Sequence, residues 1–553
     1  MNFSLLTIVL TPFVGGILSY LGGKIGRSVR QILGIIFSLV TLIETFLYRN
    51  AVIHRLPLSG FLQSTQTLMI NPLSSFISIC IAAISLIAIL ASLSEEEENH
   101  SNDFHYLLIL FACGASLGAI FAGDILTFAI FTGFLLLILY ILLMENSQDR
   151  ELITLYAVST ATVFSLLLFS VLLISHLSGS LSIQAFQGVL QGDTPTSLIF
   201  LITLFWSIAL LLSSGAMPFQ RLFLTMERIK QASIKIEIKE TLRIISMYLF
   251  LSFLIKATGT RSESYIIQFI KIISSISLIL ETVKSITDTE NSIAYLGIYQ
   301  IILITMSACF ISQTGVSIPL YILISYVTSS TLITLSQRFA GRVHSIVGII
   351  GTVTGALIAI RVPVLLGFDA SLQLIHLLIA EHEYFVLFSI LSGIGGSVIL
   401  TYSIIRSFIT LCKKISKRVK LTETIILIAI ISISVLLNLQ IGPVDSIITG
   451  INEFAGFKPA RYSGSPNWVL IPLLMGLIAS IVLFEILPRS YRYRIPEALK
   501  GINLTKFEVK FTERLRQRLE LLEVLYTYRG KTIVIYVISL ICSIALFTIL
   551  MLR

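Results

Sequence analysis

Charge is scarce in this chain: Asp, Glu, Lys and Arg make up only 12% of 553 residues, against 55% hydrophobic, and the mean hydropathy is +0.93. That excludes an ordinary soluble domain, in which about a quarter of residues are charged. Cysteine is nearly missing as well. The five present, Cys80, Cys113, Cys309, Cys412 and Cys542, stand singly with no C-x-x-C pair. No ligand set for zinc or an iron–sulfur cluster and no redox dithiol results, so neither a cofactor nor a catalytic site of its own is expected. The opening MNFSLLTIVLTPFVGGILSYLGGK lacks a basic start and a small-residue cleavage site, and reads as a first membrane span rather than a removed signal peptide. A basic patch interleaved with aromatics is absent too, so the net charge of +9 does not point to nucleic acid.

What is present is a series of apolar stretches long enough for a bilayer core of about 30 Å. They fall near 4–22, 30–48, 69–94, 105–122, 124–144, 152–176, 195–219, 242–256, 265–283, 293–312, 318–337, 345–379 (broken), 385–405, 421–440, 468–487 and 532–551. The expected class is an all-α polytopic membrane protein with the lipid bilayer as its solvent.

Basic residues set the orientation. Alternate loops collect Lys24, Arg27, Arg30, Arg150, Arg221, Arg228, Lys230, Lys235, Lys239, Arg338, Arg342 and the run from Lys413 to Lys420 on one face. By the positive-inside rule that face is cytoplasmic and both termini are outside. Between residues 488 and 531 charge is dense, yet Phe511, Leu515, Leu519 and Leu522 recur as one helical stripe. An amphipathic helix over about 505–526, lying along the cytoplasmic interface and followed by an anchoring span, is expected. Such a helix could clamp a neighbouring subunit; a solvated linker is the plainer alternative.

Two breaks interrupt the apolar helices: Ser213-Ser214-Gly215-Ala216-Met217-Pro218-Phe219, and Arg361-Val362-Pro363-Val364-Leu365-Leu366-Gly367-Phe368. Gly and Pro at membrane depth free backbone groups that then need water, side chains or ions, and breaks of this kind mark substrate and ion paths in transporters.

Asn71-Pro72-Leu73-Ser74-Ser75-Phe76, the turn Gly123-Asp124-Ile125-Leu126, and the breaks at Pro218-Phe219 and at Pro363 with Gly367-Phe368 together resemble the antiporter-like subunits of respiratory complex I, membrane-bound hydrogenases and multisubunit (Mrp-type) cation/proton antiporters. The resemblance covers roughly residues 1–440. It implies about 14 core helices in two inverted five-helix repeats, over 105–256 and 265–405, between N-terminal helices (1–104) and C-terminal helices (406–487). The lateral helix (488–531) and a last anchor (532–553) would follow. It also implies partners, the other membrane subunits of a complex I-like assembly, and a prokaryotic plasma membrane as the default location.

In that family protons are thought to follow a line of lysines, histidines and glutamates at mid-membrane, with desolvation and carboxylate neighbours tuning the lysines. The matching positions here are Gly133, Ser213, Ile244, Ser325, Ser329 and Ser371, all uncharged, with Gln220 after the Pro-Phe pair. Serine cannot store a proton near neutral pH. The resemblance therefore implies a structural or coupling subunit. One alternative is an active translocating subunit with substitute charges at Arg361, Asp369, His376, Glu281 and Lys284; a stand-alone secondary transporter is another. Each substitute has a plainer reading. Arg243, Glu281 and Lys284 would snorkel to the interface, Arg361 and Asp369 would pair to satisfy the broken helix, and His376 would be a hydrogen-bonded core residue.

Overall fold

A computed structural model describes residues 5–48, 55–56, 68–95, 104–178, 198, 201–202, 204–209, 215, 220–257, 263–287, 291–339, 343, 345–362, 365–414, 421–439 and 443–457. All of these lie in one compact unit, Met1–Phe484. The expected spans at 468–487 and 532–551 and the lateral helix at 505–526 lie outside the described residues.

The elements are helices α1 (Leu5–Gly23), α2 (Arg27–Leu47), α3 (Pro72–Glu95), α4 (His105–Ile120), α5 (Ile125–Asn146), α6 (Arg150–Ser178), α7 (Arg221–Met226), α8 (Ala232–Ala257), α9 (Glu263–Thr287), α10 (Ser292–Ala308), α11 (Ile311–Thr314), α12 (Ser317–Arg338), α13 (Ser345–Ile360), α14 (Leu366–Ala380), α15 (Tyr384–Lys414), α16 (Leu421–Asn438) and α17 (Pro443–Ala455). Among the described residues seven helices are long and apolar enough to cross a bilayer. The chain is an integral membrane protein. Among the described residues one two-residue antiparallel pairing, Arg55–Leu56 with Leu68–Met69, joins the segment before α3 to itself.

Local sequence explains where the helices start. Pro72 opens α3 at the position where a missing N–H does no harm, and Asn71 caps it by accepting from the Ser74 N–H at 2.7 Å. Asp124 caps α5, its two carboxylate oxygens accepting from the Thr127 N–H and hydroxyl at 2.7 and 2.8 Å.

α12 is the hub: nearly all of its membrane window is buried, and it packs against α8, α10, α13, α14 and α16. Small residues allow the approaches. A Cβ on Gly355 would meet the Ser329 carbonyl oxygen of α12 at 3.2 Å, and one on Gly393 would meet the Tyr299 ring at 2.5 Å. Gly351, Gly355, Gly393 and Gly396 thus face helices of this chain.

The second break appears where expected, between α13 and α14. Arg361 takes φ 56°, left-handed backbone that a side chain rarely adopts. The freed groups find partners: Leu365 bridges to Leu439 at the end of α16, and Gln300 Nε2 donates to the Ala359 carbonyl at 3.2 Å. Of the first break only Gly215 is described, also left-handed at φ 78° and tight against the Phe223 ring.

α17 is a helix the hydropathy pattern did not suggest. Its Asn452, fully buried, accepts from the Val316 N–H at 2.8 Å and donates to Ser317 Oγ, satisfying the start of α12 beside the left-handed Gly315. Asn452→Ala would orphan buried polar groups worth about 1–3 kcal/mol. A lowered thermal midpoint of the purified protein is the expected result.

Candidate functional site: a buried row of charges on α8

α8 starts ten residues earlier than the apolar pattern suggested, because its first turns are charged: Lys235, Glu237, Lys239, Glu240 and Arg243. Glu237, Lys239, Glu240 and Arg243 are each at most 1% exposed. Charged groups survive such burial only when paired and hydrogen-bonded.

Glu227, in the turn between α7 and α8 and outside the expected spans, supplies the first pairing. Lys235 Nζ and Lys239 Nζ lie 3.2 and 3.1 Å from its two carboxylate oxygens. Burial alone would raise this carboxyl, but the two ammonium groups hold it down at about 2. Lys239 also reaches Glu240 Oε1 at 3.8 Å, and Glu240 Oε1 accepts from Ser330 Oγ at 2.6 Å. One turn on, Arg243 donates to the Tyr326 hydroxyl at 2.8 Å and lies over the Phe223 ring, 4.2 Å from its centroid. Glu237 points the other way, accepting from Ser85 Oγ on α3 at 3.2 Å. Three acids, Glu227, Glu237 and Glu240, and three bases, Lys235, Lys239 and Arg243, are thus enclosed together, while Lys230 is exposed. Arg221 and Arg228 stand apart: they are exposed and pair with Glu151 across the surface.

Beyond Arg243 the row reaches a cavity of about 10 Å³, room for about one water, lined by Gly297, Gln300, Tyr326, Ser329 and Ser330. Gln300 links this cavity to the broken helix through Ala359. There Arg361, 3% exposed, donates to Ser371 Oγ at 3.2 Å and has its guanidinium 5.8 Å from the Tyr299 ring centroid.

The family's proton-path positions fall as follows. Gly133 is buried on α5, Ile244 is fully buried on α8, and Ser213 lies outside the described residues. The other three serines converge around the cavity and the break, each with its hydroxyl occupied. Ser325 donates to Asn438 Oδ1 at 3.0 Å, Ser329 to the Tyr326 carbonyl at 3.0 Å, and Ser371 to the Gly367 carbonyl at 2.9 Å. Asp369 is half-buried in the first turn of α14, with His376 partly buried two turns further on. The side chain of Lys284 lies outside the description.

Two expectations need correcting. Arg243 and Glu281 do not snorkel: they are 0% and 2% exposed, enclosed by the chain itself. Lys239 is not a loop charge at the surface but a buried partner of two carboxylates. The signal was in the sequence: Glu237, Glu240 and Arg243 recur every third residue, and Lys235 and Lys239 every fourth, which places two charged stripes on one helix.

A polytopic helical membrane protein with a broken helix opposite a buried charged row is thus defined, and comparison with solved structures places it more closely. The chain is similar to a chain of the membrane-bound sulfane sulfur reductase (MBS), an archaeal respiratory membrane complex, with TM-score 0.70 and 15% identity, covering 82% of this chain and 99% of that one. It is similar to a chain of respiratory complex I from Thermus thermophilus, TM-score 0.66 and 15% identity with the same coverages. It is also similar to a chain of the Mrp complex from Dietzia sp. DQ12-45-1b, TM-score 0.68 and 12% identity, covering 95% of this chain and 62% of that one. No family model and no curated protein matches it. The fold is the one these chains of multi-subunit membrane complexes share, as the resemblance of its sequence motifs implied.

Proposed function

We propose that this chain is an antiporter-like subunit of the membrane arm of a complex I-related respiratory or hydrogenase-type assembly, and that it holds structure and transmits coupling instead of passing protons along a titratable relay. The observation that carries this is the state of the relay positions: Ser325, Ser329 and Ser371 are buried hydroxyls committed to neighbours. The α8 charges support it. Lys235 and Lys239, held by Glu227 and Glu240, and Arg243, held by Tyr326, act as a fixed electrostatic brace between α7, α8 and α12. The sides of the membrane (both termini outside), the prokaryotic plasma membrane and contact through the helix at 505–526 belong to the same reading.

The test is ion flux in the native complex reconstituted into vesicles. Ser329→Ala and Ser371→Ala are expected to leave proton flux at the wild-type rate with the complex assembled. Flux abolished in an intact complex would overturn the non-relay role. Companions that co-purify should include a subunit with cysteine-ligated iron–sulfur clusters; a chain that is monodisperse and stable alone would speak for a stand-alone transporter.

One observation favours a second reading. Arg361 leaves Nε and Nη2 buried with no hydrogen-bond partner among the described residues, an unfinished charge at the break. If Arg361, Asp369 and His376 carry ions, Asp369→Asn stops transport; under the first reading flux is unchanged.

A further inference from the structure

Away from the α8 row, α2 turns a polar face inward. Its buried residues are Arg30, Gly34, Ser38, Thr41, Glu44 and Thr45, while Ile36, Leu39, Ile43 and Leu47 are exposed. The stripe runs about 21 Å from Arg30 to Glu44 at about 1.5 Å per residue. α1, α3 and α4 cover it, and Ser38 Oγ and Ser19 Oγ of α1 are both buried without hydrogen-bond partners among the described residues.

Glu44 sits near one end of this seam, 7% exposed. Thr11 Oγ1 of α1 lies 3.2 Å from its Oε1. That hydroxyl has one hydrogen to donate, shared between Glu44 Oε1 and the nearer Thr7 carbonyl at 2.8 Å. The carboxyl thus receives at most a share of one donor. Oε2 is buried with no partner among the described residues.

Among the described residues the surroundings hold little that could neutralise a carboxylate. α1 has no Asp, Glu, Lys or Arg. On α3 the titratable groups are Cys80 and, at the far end, Glu95; on α4 they are His105, Tyr106 and Cys113. Arg30 is at the other end of α2, against the Tyr106 ring. Tyr48 caps α2 one turn beyond Glu44. An ionised carboxyl placed there, without a cation or a second donor, is costly.

We propose that Glu44 is a proton-binding site: a neutral carboxylic acid in the α1–α2 seam, hydrogen-bonded with Thr11 and distinct from the α8 row. The ligand is the proton, and the site stands whether or not the chain works inside a larger complex.

The probe is dicyclohexylcarbodiimide, applied to the full chain in its native membrane across the neutral pH range and followed by peptide mass mapping. The acid O–H adds across one C=N bond. Its proton goes to nitrogen and its oxygen to the central carbon, and the acyl group then migrates to nitrogen, so an N-acylurea remains on Glu44 and nothing leaves. Glu44 is expected to carry the adduct, with labelling falling about tenfold per pH unit above its ionisation point. Glu44→Gln should remove the adduct and leave the thermal midpoint unchanged, because a neutral amide can keep the hydrogen bond with Thr11. No adduct at Glu44 where the denatured chain does label, labelling that ignores pH, or a Glu44→Gln protein that melts several degrees lower would each reveal an ionised, paired carboxylate and overturn the proposal.

Discussion

Glu227→Gln is expected to be the most damaging single substitution in the described part of the chain, at about 3–5 kcal/mol, the usual effect of removing one partner from a buried ion pair. The carboxylate is the common partner of Lys235 and Lys239. Without it, Lys239, 1% exposed, would keep only Glu240 at 3.8 Å. Thermal unfolding of the detergent-solubilised protein reads the loss directly. Arg221→Gln, which breaks the exposed contact to Glu151, is the control; pairs of that kind contribute about 0–1 kcal/mol.

The pH dependence follows from the same contact. The Glu227 carboxyl is lowered from 4.5 to about 2 in the folded chain, so the folded state holds fewer protons than the unfolded one in that interval. Its contribution is complete above the ordinary carboxylate range and disappears as pH falls from about 4.5 toward 2. Glu227→Gln should therefore lie well below wild type at neutral pH, with the gap closing only in strong acid.

The second large effect concerns Gly297. It faces Arg243, and a Cβ there would lie 2.5 Å from Arg243 Nη1. The guanidinium cannot swing aside, being held by Tyr326 and seated over Phe223. Gly297→Ala is expected to destabilise by about 1–3 kcal/mol, the range for overpacking a filled core. The diagnostic measurement is the double variant. If steric conflict is the cause, Gly297→Ala in an Arg243→Gln background should be milder than in wild type, with a coupling of at least about 0.5 kcal/mol. Strict additivity would place the damage elsewhere.

Hydropathy disclosed the spans that are described and the second break because each rests on a local property: a run of apolar residues long enough for a bilayer, or Pro and Gly where a helix should continue. The turn at Asp124 and the start at Asn71-Pro72 were legible for the same reason, since capping is settled within four residues. The α8 row was not. Averaging over a window treats Lys239 and Glu240 as signs of water, and only their partners Glu227 and Ser330, the latter 90 positions away, make them tolerable in the interior. The neutral positions at Ser325, Ser329 and Ser371 could be named from the resemblance, but their hydrogen-bond partners could not: Asn438, which occupies Ser325, is 113 residues distant. α17 escaped notice because it is short and amphipathic, and its importance lies in one asparagine.

That asparagine sets an order of events during synthesis. Asn452 closes the start of α12 from 136 residues downstream, and α17 also packs on α3. The ribosome must therefore pass residue 452 before the first half of the protein can reach its final form. Until then the early helices wait in the lipid with an open flank, the stage at which insertion chaperones and quality-control proteases have their longest access.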